Sequence, residues 1–570
     1  MDQSRGVTRF TCNGDAVGVT APGDESLLLV LRERLGILSV KDGCAPQGQC
    51  GCCTVLVDGE PRVACVTPLS RVAGRTVTTV EGLDPTARDR IAAAFVTTGG
   101  SQCGFCTPGI VMRAAGGRVR DLDRALAAHL CRCTGWLTVY DAIRASDAGP
   151  MAADHNRDLG AAARRAELEG GVAQAVRSDV PLGGAHFADD TAPRDALVAV
   201  PRPPGSAADS VEAAGTRWVI GDSLTAARLA AGKVQGRRTT VEERPPLFDA
   251  LAPCPPGGVR LATSWVEPAY LEPDASWCPP GGEAASPYVN GGAFGGKLAS
   301  LAPRAARELA DRLGTVVRVV YSREDVVRLG PKRPPMAATA VWSDGRVDIH
   351  GVIARGGATA FAREWPSAYA CEISARWREV DVVGPPVGIQ LRAAGLAEHA
   401  VLVEGALDAA GVDRSELTDD PTRLDSCVTT PSGASAGARV HIDGATGALE
   451  RVEVRVAAGD PLDETVLRSY AMGAAHMALG WVCAESLSVD PNTGEVHDLT
   501  IRSFGILRAK DVPPIDVEVI DDPREPLAGS SDAVFAAVAA AAWSSLARAE
   551  GTRPDTFPAR QTRTARRLRR

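Results

Sequence analysis

Eight cysteines in the first quarter of the chain fall into two groups of four. Cys44, Cys50, Cys53 and Cys65 lie in KDGCAPQGQCGCCTVLVDGEPRVAC, and Cys103, Cys106, Cys131 and Cys133 lie in QCGFC and CRC. Thiolates at such spacings hold iron: a plant-type [2Fe–2S] loop runs C-x4-C-x2-C with a distant fourth cysteine. The first gap here has five residues, so this loop is one longer. Cys52 is a spare thiol, because Cys53 is the neighbour that keeps the two-residue gap. A loop wrapped this tightly needs backbone angles most residues avoid, and Gly43, Gly48 and Gly51 stand among the ligands. Structural zinc favours two paired short gaps, which the first group lacks; the second group alone is ambiguous with zinc, and its company decides it. Disulfides need an oxidising compartment, and MDQSRGVTRF reads as no signal peptide. Two clusters in tandem make a short wire, which implies an electron source at one end and a sink at the other.

A second chemical feature is the glycine loop NGGAFGGK, Asn290–Lys297. Gly291, Gly292, Gly295 and Gly296 let the backbone approach a ligand closely and offer N–H groups to oxyanions, and Phe294 can wall such a site. By itself the string also describes a glycine-rich turn. The eight histidines form no group with metal-ligand spacing.

A chain of 570 residues predicts three or four domains to hold these residues. The expected class is α+β multidomain. Residues 1–82 read as short strands with a hairpin signal at Asp58-Gly59, and residues 83–150 as helices. Residues 151–178 read as a linker whose polar, Ala-rich part is Met151–Arg165, and 179–570 as mixed strands and helices. VRLATSWV, DGRVDIHGVIA and ALERVEVRVAA read as strands, and Arg304–Leu313, Ala397–Ala410 and Asp532–Arg548 as helices. The net charge of −8 gives no reason to expect nucleic acid or an anionic membrane. The apolar run Ala533–Trp543 is too short to span a bilayer and reads as a buried helix. The basic tail ARQTRTARRLRR reads as a solvated, frayed terminus. A reduced cytoplasm suits the remaining cysteines.

The phrases GQCGCCTVLVDG, QCGFCTPGIV and LCRCTGW resemble the iron–sulfur part of the xanthine dehydrogenase and aldehyde oxidoreductase family of molybdenum hydroxylases. That resemblance implies a β-grasp, ferredoxin-like domain followed by a helical bundle, each with one [2Fe–2S] cluster. The Cys106–Cys131 stretch is shorter than usual for the family, which predicts a trimmed helix within Arg113–Arg124. Weaker phrases follow: AHFADD, VEPAYLEPDA, the glycine loop, PPVGIQLRAAG at Pro385–Gly395, and DVPPIDVEVIDDP. They imply a compact molybdopterin-binding region that takes a molybdenum–pterin cofactor. Gln102, Cys133, Gly291, Gly292, Phe294 and Gly295 would line that cofactor, and Arg392 would orient the substrate. EGGVAQ at Glu169–Gln174 resembles a glycine-rich phrase normally near the family's C-terminus; its position here reads as chance, or as linker.

Three departures stand out. The segment that leads into the glycine loop, with a glutamine, is nearly gone. Met477, in GAAHMALG, stands where a glutamine normally contacts the cofactor. The late GxGE phrase, whose Glu acts as general base, becomes LAGSSDAVF, and Asp532 is the nearest carboxylate. Ser531 or Asp532 also reads as an ordinary helix N-cap. The reading implied is a hydroxylase or dehydrogenase acting on a purine, N-heterocycle or aldehyde. There is no FAD domain in this chain, so a flavoprotein subunit or soluble acceptor is expected as partner, and a homo-oligomer stays open. The alternative is a non-catalytic electron-transfer or scaffold subunit of a larger complex.

Overall fold

The computed structural model describes residues 6–117, 121–149, 157–233, 241–251, 253–361 and 368–569. The N-terminal sheet has five strands in the order Asp15–Thr20, Val7–Cys12, Thr76–Thr78, Thr54–Val57, Glu60–Val63. Val7–Cys12 and Thr76–Thr78 run parallel; the other pairs are antiparallel. The predicted hairpin joins Thr54–Val57 to Glu60–Val63, with Asp58 and Gly59 both at positive φ, 51° and 80°. This geometry suits Asp-Gly in a two-residue turn.

Four helices follow: Pro85–Thr97, Thr107–Ala115, Leu122–Leu126 and Leu137–Ala148. The first starts at an Asp84 N-cap that accepts from Ala87 N, with Pro85 at its first position. The stretch expected to carry a trimmed helix holds the end of Thr107–Ala115 and the five-residue Leu122–Leu126; residues 118–120 lie outside the described residues.

The segment 151–178, read as linker, is not one throughout. Leu159–Gly170 is a helix capped by Asp158 and ended by Gly171 in the left-handed region. Its Ala162 and Ala166 pack on Val466 and Tyr470; alanine's small side chain permits that close approach. The first part of the linker, residues 151–156, lies outside the described residues.

Beyond it stand three sheets, two of five strands and one of four. Among three long helices, Ser530–Glu550 packs against both Leu396–Ala409 and Glu464–Cys483. Small residues set the spacing: a Cβ on Gly405 would lie 2.3 Å from the Trp543 ring. Ser530–Glu550 is long and apolar enough to cross a membrane by length and composition, but it is buried inside the protein. The basic tail is docked rather than frayed. Thr562 caps the helix Arg563–Leu568, Thr564 and Ala565 are buried, and Arg569 pairs with Glu242.

Candidate active site and electron path

All eight predicted cluster cysteines are buried and none is in a disulfide. Among the described residues no three His, Cys, Asp or Glu donors converge as a single metal ion would require. The thiols instead meet one another, as two pairs in the second group and as a chain in the first. In the second group Cys133 Sγ lies 3.5 Å from Cys103 Sγ. Cys106 bonds Cys131, which with Thr134 draws the Cys131 thiol down to about 6 and pushes Cys106 up. A thiol so lowered is poised as thiolate, the form that binds metal. In the first group Cys44 meets Cys50 and Cys65, whose bonds hold it well below its ordinary range, and Cys65 meets Cys53. The spare Cys52 bonds Cys50 and feels the charges of both Cys53 and Cys131, so it sits on the side facing the second group. These buried, unlinked donor sets fit [2Fe–2S] clusters.

The thiols of the first group are covered, with Cys44, Cys50 and Cys53 each 1% exposed. Half-buried Pro46–Gln49 form the lid, and Gln47 is pinned through Leu499 O at 2.8 Å and Ile501 N at 3.2 Å. Arg502 Nε donates to Gln49 O at 2.9 Å. Beside the lid Val66 is 51% exposed, and Gly48 packs against it.

The second group is locked to the rest of the molecule. Arg132, between two of its cysteines, makes a buried bidentate pair with Glu485 at 2.5 and 2.6 Å. Gln102 Nε2 donates to Cys133 O at 3.0 Å and Ser469 Oγ at 2.9 Å. Gly473 lets the helix Glu464–Cys483 press on Cys133, since a Cβ there would sit 1.7 Å from its carbonyl oxygen.

The glycine loop lies against this cluster. Gly291, Gly292 and Gly295 have φ of 77°, 79° and 86°, and Asn290 and Phe294 also lie in the left-handed region at 56° and 52°. A bulky residue pays strain there, so the loop is over-determined by its surroundings. Asn290 Nδ2 donates to Cys103 O at 3.0 Å, and a Cβ on Gly292 would lie 2.8 Å from Cys103 Sγ. A Cβ on Gly295 would collide with Gln390 O at 1.9 Å. Arg392 N donates to Phe294 O at 3.1 Å, and its guanidinium stacks over the Phe294 ring at 4.7 Å. Its Nη1 reaches Met477 Sδ at 3.6 Å.

Asp532 is also drawn here, but not as a cap. The helix begins at Ser530 with Gly529 as N-cap, and Asp532 reaches across to accept from Ala393 N at 3.1 Å. Burial pushes its carboxyl up, partly offset by Arg392, with Glu169 adding to the rise. Glu169 takes over the capping: it accepts from Ser530 Oγ and Ser531 Oγ, each at 2.5 Å, and from Ser531 N at 3.0 Å. The sequence marks Asn290 only as the start of the glycine loop and Glu169 and Gln174 only through the EGGVAQ phrase, and nothing in it singles out Tyr470.

A slot beside the loop is lined by Phe294, Arg392, Met477, Trp481, Phe535 and Arg132. Trp481 Nε1 and Gln174 Nε2 are buried donors without partners. The glycine cradle and free donors fit a group bearing oxo and phosphate oxygens. The slot itself is about 30 Å³, room for about one water.

Residues 79–144 match the [2Fe-2S] binding domain family, and residues 367–513 the molybdopterin cofactor-binding domain family. The isoquinoline 1-oxidoreductase subunit alpha of Brevundimonas diminuta is 39% identical over 142 residues, 24% of this chain and 93% of that protein. The chain belongs to the molybdenum hydroxylases. A xanthine dehydrogenase of Drosophila subobscura is 39% identical over 165 residues, 25% of this chain. The match spans only 12% of that relative's length. The aldehyde oxidoreductase of Desulfovibrio gigas superposes with a TM-score of 0.75 over 99% of this chain and all of that one, at 15% identity. That superposition shows that the two chains share one fold across both halves. The chain thus carries both a [2Fe–2S] and a molybdopterin-binding module.

Proposed function

We propose that this chain is a molybdenum-dependent hydroxylase or dehydrogenase that oxidises a small purine, N-heterocycle or aldehyde and passes electrons through two [2Fe–2S] clusters. One chain of contacts supports the reading: the glycine loop packs on the Cys103–Cys133 pair, Arg392 packs on Phe294 of that loop, and Asp532 accepts from the backbone beside Arg392. When bound, the molybdenum–pterin group supplies the two-electron redox step. Asn290 to Gly295 would seat it through backbone N–H groups, with Gln102 and Cys133 behind them. Arg392, stacked on Phe294, offers a fixed cation to an electron-rich substrate oxygen or ring nitrogen. Asp532 is the acceptor for the proton the reaction releases; its raised carboxyl makes it a stronger base than an ordinary aspartate once ionised. The Cys103–Cys133 group receives electrons first and the Cys44–Cys65 group second.

The domain limits 1–82, 83–150 and 179–570 serve this division of labour, with the Leu159–Gly170 helix bracing the third unit. Electrons leaving the first cluster need an acceptor. A flavoprotein subunit or soluble carrier meeting the lid near Val66 is the proposed partner, and the unlinked thiols suit the cytoplasm.

The slot's small size favours a second reading, an electron-transfer or scaffold subunit without molybdenum. Elemental analysis of chain purified from a host that makes the cofactor separates them. About one molybdenum per four irons supports the hydroxylase; four irons with no molybdenum turns the assignment to the second reading.

A further inference from the structure

A cavity of about 500 Å³ lies beside the segments that hold both clusters, lined in part by Leu130 and Arg502. Leu130 is bonded to Cys131, and its N donates to Cys50 O at 3.0 Å, so it touches a ligand of each group. Arg502 Nε donates to Gln49 O at 2.9 Å, and Gln49 N donates to Cys44 Sγ at 3.5 Å. The wall of the cavity is thus part of the cover that closes the first group off from solvent. Small-molecule sites typically enclose about 300–1,000 Å³, and this one mixes apolar lining, Ile506, Leu507 and Leu568, with charge. Among its described lining residues four arginines, Arg502, Arg508, Arg560 and Arg569, meet three carboxylates, Glu242, Asp498 and Asp511. Glu242 serves two of the cations, Arg560 Nη1 at 2.8 Å and Arg569 Nη1 at 3.1 Å, while Arg508 takes Asp511 at 2.5 Å. Burial lowers the Arg560 guanidinium, and Arg569 beside it adds to the fall against the pull of Glu242. Two cations held on one carboxylate suit a further anion, because a carboxylate or phosphate bound there relieves their repulsion.

We infer that this cavity binds a small, planar, anionic two-electron acceptor, a quinone- or flavin-type ring carrying a carboxylate or phosphate, and is an outlet for the clusters in addition to the lid beside Val66. The ring would lie on the apolar lining with Leu130, and its anion among the arginines. Electrons leave the cysteine-held clusters one at a time. Two of them, with two protons from water, convert the ring to its dihydro form, and both clusters return to the oxidised state. The inference rests on the two-cluster wire of the proposed function and not on molybdenum, so it holds under either reading given above.

The test uses the whole chain with its clusters in place, reduced by dithionite without oxygen and freed of excess reductant. It is then mixed with flavin mononucleotide or riboflavin, and with a naphthoquinone carboxylate or the parent naphthoquinone. Reoxidation is followed by the return of cluster absorbance. The rate should saturate with the anionic member of at least one pair, at a concentration roughly tenfold or more below that needed by its uncharged partner, as one hydrogen bond to a charged group predicts. Whichever pair does so names the ring. The double variant Arg508→Gln/Arg569→Gln should lose that preference, with its irons and its rate toward the uncharged rings as in wild type. Equal rates within both pairs, no saturation, or a preference that survives in the double variant overturns the outlet while leaving the wire intact. Wild type without reducible clusters overturns the wire itself, and the outlet with it. If the double variant loses its irons, Arg569→Gln alone, at a side chain 37% exposed, is read by the same ratio.

Discussion

The cluster half and the molybdopterin half solve the same problem, holding a redox group, with opposite chain economies. Cys103, Cys106, Cys131 and Cys133 come from one short stretch and are placed by the ends of local helices. The second site, as proposed, draws Cys103, the 290–296 loop, Arg392, Met477 and Asp532 from five separated segments. A locally encoded site tolerates change elsewhere in the chain. A site assembled at long range can exchange one donor for another, and here Glu169 has become the cap that Ser531 or Asp532 was expected to be.

Breaking the local site should have the largest effect. Cys106→Ser should abolish one of two cluster signals in paramagnetic resonance and halve the iron, and Cys44→Ser should abolish the other; loss of both from either change would mean the clusters are not independently held. Next in size, Asp532→Ala should lower turnover by roughly 10²–10⁴-fold with irons and molybdenum unchanged. The wild-type acid limb should lie above the ordinary aspartate range, because burial raises this carboxyl and the ionised form is the base. Turnover in Asp532→Ala near the wild-type rate would return Asp532 to a purely structural role.

The join between the halves is the third target. Glu485→Gln leaves Arg132 buried without its charge partner. Breaking such a pair costs about 3–5 kcal/mol, so the denaturation midpoint should drop clearly while the isolated cluster spectra persist. An unchanged midpoint would show that the glycine contacts, Gly473 on Cys133 above all, hold the halves without the ion pair. Smallest of all, Cys52→Ser should leave both cluster signals in place; loss of the first would make Cys52, not Cys53, its ligand.

Much of the fold was legible. Strands Arg346–Ala354 and Leu449–Ala457 and helices Ala302–Leu313 and Leu396–Ala409 lie within a few residues of their expected limits. Their apolar periodicity is a local property. The linker reading failed over Leu159–Gly170 because its apolar face is made of alanines, a weak hydrophobic signal until Val466 and Tyr470 are set against it. The docked tail failed for a related reason: its arginines pair not only with nearby Glu550 but with Glu242, more than 300 residues away in sequence. The covered first cluster could not be foreseen, since its cover comes from Leu499–Arg502.

Sequence alone determined the cluster chemistry, because the geometry of iron ligation is written into cysteine spacings a few residues long. It also marked the glycine loop, because positive φ selects for glycine wherever the chain lies. Only the tertiary structure decided which carboxylate caps and which faces Arg392, and that Arg132 ties the halves together. Those assignments depend on side chains that meet across hundreds of residues, and burial and pairing, not spacing, settle what each of them does.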